Sequence, residues 1–238
     1  PKPFRKRSYD IIFHGSLDAL APEQEFLQTE AAAGVSLSEA RAVLRAAARV
    51  AEQGVDPDQA LPAVCAEDGV DISRLNIVQL AHLVRMTDLR SRTIRRERFL
   101  SAFIDLPVHF FGSYPEAFKR KFARAVFHGG KTFAEIIEIN RDAKISLCET
   151  VNWRRNAHLR VMYAYAHGCL SAAERNERLG ADFTDMKNII FTSYPYTDIA
   201  QKVRTVLADP ARGQAMVDAA MPIYQSRYTW RETVKVLA

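Results

Sequence analysis

Arg160 to Pro210 reads RVMYAYAHGCLSAAERNERLGADFTDMKNIIFTSYPYTDIAQKVRTVLADP. The periodicity predicts a helix from Ala157 to Ala166 that carries Arg160, and Gly168 closes it because glycine takes the left-handed turn that ends helices. Cys169 to Ala172 is short and apolar and enters a sheet. An acidic loop follows, and Asn188 to Phe191 makes the next strand. Helices over Tyr196 to Leu207 and Ala211 to Tyr224 complete the stretch, broken at Asp209-Pro210 because proline cannot continue the first and suits the start of the second. Strands alternating with amphipathic helices predict an α/β fold, a parallel sheet flanked by helices.

Working outward, Tyr9 to Phe13 is an apolar run that meets a turn at His14-Gly15-Ser16. The pattern repeats at Val108 to Phe111, followed by Gly112-Ser113-Tyr114-Pro115. Two strands each ending in a Gly-Ser turn suggest parallel strands whose C-terminal ends share one edge, the edge where open α/β sheets bind ligands. Further elements are expected at Arg124 to Phe127 (strand), Thr132 to Asn140 (helix) and Lys144 to Cys148 (buried strand). Between the two Gly-Ser strands, Ala21 to Ile104 shows helical patterning and no strand signal. Ser36 or Ser38 caps a helix through Leu37, Val43, Leu44 and Ala51 that Gly54 stops; Asp56-Pro57 and Ser73 mark two further starts. A plain crossover needs far fewer residues, so this segment reads as a helical insertion after the first strand.

The 238 residues suffice for a sizeable core. The net charge of +5 is concentrated in Lys2, Arg5, Lys6 and Arg7 and in Arg85, Arg90, Arg92, Arg95, Arg96 and Arg98. Such runs attract anions such as phosphate or acidic lipid, or are solvated helix faces. Peripheral membrane contact is compatible with them; no nucleic-acid module accompanies them, and no nucleic-acid partner is expected. Cys65, Cys148 and Cys169 are widely spaced and form no metal motif, which suits a reducing cytoplasm. No run of eighteen apolar residues occurs. The start, PKPFRKRSYD, lacks an initiator Met and an apolar signal core, so a longer parent chain is expected.

The order of elements from Val151 to Ala238, with Arg160-Val161-Met162-Tyr163, Phe183-Thr184-Asp185-Met186-Lys187 and the closing YTWRETVKVLA, resembles the C-terminal, donor-binding half of GT-B glycosyltransferases. The likeness is to the bacterial glycosyl transferases group 1 and the CgeB/YkvP-like families, whose pattern runs R-v-f-E, a short strand, then f-x-D-g-k. It covers about ninety residues well and continues back to Tyr9. It implies a Rossmann-like nucleotide-sugar-binding domain over residues 1–20 and 99–238, with the helical insertion at 21–98. It also implies a nucleotide-diphosphate sugar as donor, a glycan, lipid or protein as acceptor, an upstream acceptor domain, and neither cofactor nor metal.

A diphosphate needs backbone N–H groups at a glycine turn or helix N-terminus and a fixed cation. Gly15, Ser16, Gly112 and Ser113 supply the turns and Arg160 the cation; equally, the glycines serve only to turn the chain and Arg160 forms a salt bridge. His14, before Gly15, is the candidate for proton transfer, against a purely structural role. Glu149 is the nearest carboxylate on that edge, either a polar group of the pocket or a helix N-terminal acid. His158 and Tyr163 complete the expected donor site. Tyr163 stands where the family carries the ribose-binding Glu, and Arg155 at its acidic partner position, so ribose recognition by a carboxylate is lost. A domain that has lost that recognition and binds a partner through the insertion is the alternative. Met162, Tyr165, Phe183, Phe191, Tyr194, Tyr196 and Trp230 read as core.

Overall fold

The computed structural model describes residues 2–149, 157–229, 231, 232 and 234. In chain order its elements are β1 (Tyr9–His14), α1 (Glu23–Ala32), α2 (Leu37–Gln53), α3 (Pro57–Glu67), α4 (Ile77–Ser101), β2 (Val108–Phe111), α5 (Glu116–Lys119), β3 (Val126–Phe127), α6 (Phe133–Arg141), β4 (Ala143–Cys148), α7 (Leu159–Ala166), β5 (Leu170–Glu174), α8 (Glu177–Asp182), β6 (Ile190–Thr192), α9 (Ile199–Ala208) and α10 (Pro210–Arg227). They gather into two compact units, Pro1–Leu17 with Phe99–Ala238, and Asp18–Arg98.

The first unit is built on a six-stranded sheet of order β3-β2-β1-β4-β5-β6, parallel at every pairing. Side chains alternate between its faces, as strand geometry requires. Ile11, Phe13, Val108, Phe110, Ile145, Leu147, Leu170, Ala172 and Ile190 point to one face and pack with Phe99, Phe103, Ile199, Val203 and Val217. Ile12 and Phe111 point to the other, beneath Ile136 and Ile139 of α6 and Ala164 of α7; Cys148, Ala173 and Phe191 continue that face beneath Val161 and Tyr165 of α7 and Leu179 of α8. A strand covered on both faces reads as the continuous apolar run seen at Tyr9 to Phe13. Ile11, Ile12 and Phe13 are fully buried, worth about 2 kcal/mol each in apolar transfer.

Several boundaries differ from the sequence-based expectation: α8 occupies part of the expected acidic loop, the strands expected at Cys169 to Ala172 and Asn188 to Phe191 run over Leu170–Glu174 and Ile190–Thr192, and the helices expected from Ala157 and Tyr196 start at Leu159 and Ile199. The strand expected at Arg124 to Phe127 shrinks to Val126–Phe127, which pairs with β2 as an edge strand. The helix expected to start at Ser73 starts at Ile77, because Asn76 Oδ1 accepts from the N–H groups of both Val78 and Gln79 at 3.0 Å. Ser73 instead donates its hydroxyl to Asp71 within a single 3₁₀ turn.

The helical unit holds its own core. Ser36 and Glu39 form a capping box at the start of α2, and Gly54 (φ +67°) ends it in the left-handed conformation. Ala40, Val43, Ala46 and Val50 then line one face of α2 and pack with Leu61, Val64 and Cys65 of α3, Phe26 of α1 and Leu83 of α4. Alanine at facing positions lets the helix axes approach closely.

In the sheet unit, Gly15 and Gly112 both take φ +151°. A Cβ on Gly112 would stand 2.1 Å from the carbonyl oxygen of Gly15, a backbone atom that cannot swing aside. Gly129, at φ +73°, has nothing within 4 Å of its Cβ position. Gly112→Ala is expected to cost about 3 kcal/mol or more, whereas Gly129→Ala, paying for backbone conformation alone, costs about 1 kcal/mol. Equilibrium urea unfolding of the two variants checks the difference.

Candidate functional site

The strand order reverses between β1 and β4: β2 and β3 lie outward from β1, while β5 and β6 lie outward from β4. The connections therefore leave the C-terminal edge in opposite directions at this point and open a crevice there, the usual ligand position of open α/β sheets. His14 ends β1, Glu149 follows the last residue of β4, and α7 starts beside them with His158 as its N-cap.

An ion pair organises the crevice. Arg160 Nη1 donates to both carboxylate oxygens of Glu149, at 2.8 and 2.7 Å. The Glu149 side chain is 2% exposed and that of Arg160 15%. The guanidinium carbon stands 5.3 Å from the centre of the Phe13 ring, a cation–π distance. Nη2 stands 2.8 Å from the position a Cβ on Gly15 would take. Glu149 engages only one nitrogen of the fork; among the described residues Arg160 Nε and Nη2 make no hydrogen bond.

His158 Nδ1 accepts from the backbone N–H of Arg160 at 3.0 Å, which places the proton of the neutral ring on Nε2. His158 thus caps α7. His14 Nε2 is buried with no hydrogen-bond partner among the described residues. Burial, reinforced by the positive charge of Arg160, pushes the His14 pKa down to about 4. At neutral pH its ring is uncharged, able to donate or accept one proton.

The two Gly-Ser turns do not present an open row of N–H groups. Gly15 N–H donates to Phe111 O at 2.9 Å, Ser113 N–H to Ser16 Oγ at 3.1 Å and Leu17 N–H to Ser113 O at 2.9 Å. The Tyr114 hydroxyl donates to Gly15 O. The turns bind each other, so Gly15, Ser16, Gly112 and Ser113 hold the strands' ends in place.

Residues 92–238 match the model of a family described as Glycosyl transferase-like. The chain belongs to this glycosyl transferase-like family. No curated protein matches it. Among solved structures, it is similar to a point mutant of S. aureus TarM in complex with fondaparinux, α-GlcNAc-glycerol and UDP, with a TM-score of 0.45 and 11% identity over 58% of this chain and 29% of that one. The crystal structure of TarM gives 0.44 and 13%, over 60% and 30%. The chain thus spans under a third of the length of those proteins.

Within this family member, Tyr163 lies one turn beyond Arg160 and meets the ring of Phe133 edge-on, with centroids 5.2 Å apart. Phe133, the first residue of α6, is 57% exposed. Arg155 lies outside the described residues, as does Trp230. Asp185 has a structural role: Oδ1 accepts from Phe191 N–H and Oδ2 pairs with Lys202 Nζ, both at 2.8 Å. Met186, where the resembled pattern has glycine, takes φ +55°, so the turn keeps its glycine-like shape with a side chain attached. Among the described residues no group of three or more His, Cys, Asp or Glu is arranged to hold a metal, and no helix is long and apolar enough to cross a membrane.

Sequence reasoning missed two contacts. His109 Nδ1 and His128 Nε2 share a hydrogen bond of 2.9 Å, which follows only from the β2–β3 pairing that sets His109 opposite Val126. The stacking of Arg160 on Phe13 likewise depends on the β1–β4 pairing.

His14 gives the site a pH signature. Its folded pKa of about 4 lies below the ordinary 6.5, so the unfolded chain binds a proton in that window that the folded one refuses. The associated stability is complete above pH 6.5 and falls as the pH drops toward 4, by at most about 3 kcal/mol. His14→Asn is expected to flatten the stability profile between those values relative to the parent, as read by urea unfolding at a series of pH values.

Proposed function

We propose that the sheet unit is the donor-binding part of a glycosyltransferase that moves a sugar from a nucleotide diphosphate to a hydroxyl of a glycan, lipid or protein acceptor. The observation that carries this reading is the half-engaged Arg160. Glu149 fixes its orientation through one nitrogen, while Nε and Nη2 face no partner among the described residues. Arginine's planar fork matches a phosphate oxygen pair, and its charge is permanent.

In the transfer, the bond from the anomeric carbon to the diphosphate oxygen breaks and a bond to the acceptor oxygen forms. Negative charge grows on the leaving diphosphate, and a preoriented cation lowers the barrier most when it is already in place. Arg160 has that role, together with the N-terminus of α7. The neutral His14 ring supplies a hydrogen bond to the sugar or takes the acceptor's proton. Tyr163 and Phe133 offer aromatic surface beside the cation, in place of a carboxylate for the ribose. No metal is needed in this scheme, since Arg160 supplies the charge. The acceptor would be held by a further domain of a longer chain.

Calorimetric titration with UDP, GDP and their sugars tests the reading. One diphosphate is expected to bind, and Arg160→Lys, which keeps the charge but loses the fork, to weaken it about tenfold, or about 1.4 kcal/mol. Absence of binding to the unaltered chain would replace this reading with a non-catalytic, partner-binding domain.

A further inference from the structure

His109 of β2 and His128, the residue after β3, meet on the face of the sheet where Phe111 packs with α6. Three ring contacts place the pair. The His128 ring lies on Phe111, with centroids 4.5 Å apart and planes 10° from parallel. His109 stacks on His128 at 5.1 Å and 14°, and Tyr9 of β1 meets His109 edge-on at 4.9 Å. Phe111, beneath the stack, is 3% exposed; His109 is half-buried and His128 exposed. A hydrogen bond of 2.9 Å joins His109 Nδ1 and His128 Nε2. Gly129 and Gly130 follow, with nothing within 4 Å of either Cβ position, so the chain beyond His128 has open space to move into.

An imidazole nitrogen donates when it carries a proton and accepts when it does not. The bond between the rings therefore exists in a neutral pair or in a pair with one added proton, and it is impossible when both rings are charged. A doubly protonated pair also sets two like charges side by side. Burial lowers both pKas; the neighbouring His128 adds to the shift at His109 and Lys131 to that at His128, while Asp10 opposes it at His109. The charged neighbours are themselves tied, Asp10 of β1 to Lys144 of β4 at 2.5 Å and Lys131 to Glu135 of α6 at 3.1 Å. Folded-state values below the ordinary histidine pKa of about 6.5 make the closed pair complete above that pH, and it is lost as the pH falls.

We propose that the His109 and His128 rings form an acid-released latch, which holds the His128 ring over Phe111 while at least one imidazole is neutral and lets go when both are protonated. The residue it covers ends β2, and its carbonyl accepts from Gly15 N–H. The latch thus closes over the strand end from which the Gly112 turn departs.

The test follows the histidine ring signals of the whole chain by NMR from pH about 8 to about 5, the range in which histidine charge changes, together with the through-space contact between the His128 and Phe111 rings. The pair is expected to titrate in two steps separated by about one pH unit or more, a tenfold difference in proton affinity, and the ring contact is expected to disappear with the second step. His109→Phe keeps a ring beside Tyr9 but removes one charge. In that variant His128 is expected to titrate in a single step and to stay on Phe111 throughout, because a lone cation is accepted on an aromatic face. His128→Phe tests the same coupling from the other ring, with His109 expected to titrate in one step, and serves if the first variant fails to fold. A parent whose rings titrate independently, a contact with Phe111 that persists across the range, or a loss of contact unchanged in His109→Phe would each overturn the latch. These readouts are local to the pair and independent of nucleotide binding at Arg160.

Discussion

The sheet unit depends on one steric constraint: β1 and β2 run parallel and in register, so the turns that follow them arrive at the same level and must pass each other. Ile11 through His14 pair with Val108 through Phe111 without a slip, and the next residues, Gly15 and Gly112, come so close that a methyl group on either meets a neighbour. On Gly112 it would overlap the backbone of Gly15; on Gly15 it would press against Arg160 Nη2 and the Phe13 ring. Both residues also take a φ that side-chain-bearing residues rarely adopt. The missing side chains let the turns hydrogen-bond to one another and leave room for the guanidinium above them. A register shift of one residue would remove this fit and turn over the faces of one strand relative to the other.

Arg160 converts that geometry into electrostatics. It compensates the buried charge of Glu149, lies over Phe13 and reinforces the burial that keeps His14 neutral. A buried ion pair rarely repays its own desolvation in stability, so its value is better sought in orientation. Glu149 occupies one nitrogen and leaves the rest of the fork aimed and largely dehydrated, the condition in which a cation acts most strongly on an arriving anion. His158 adds to this by capping α7 through Nδ1, which fixes the first turn of the helix that carries the arginine.

Much of this frame was legible in the sequence, because it rests on local rules. The apolar runs at Tyr9 and Val108, the Gly-Ser turns, the capping box that starts α2 and the Thr132 start of α6 each need only a few consecutive residues to be recognised. The start of α4 was misplaced because Ser73 reads as a helix start; only the structure shows that the Asn76 side chain is the one that meets the free N–H groups. At the site, His14, Glu149 and Arg160 were identifiable as chemistry-bearing groups on one edge, but their mutual arrangement was not. The bond between Glu149 and Arg160 spans the β4–α7 connection, and the closure of the Gly-Ser turns is a contact between residues about a hundred positions apart. The second follows from strand order, which no local pattern encodes.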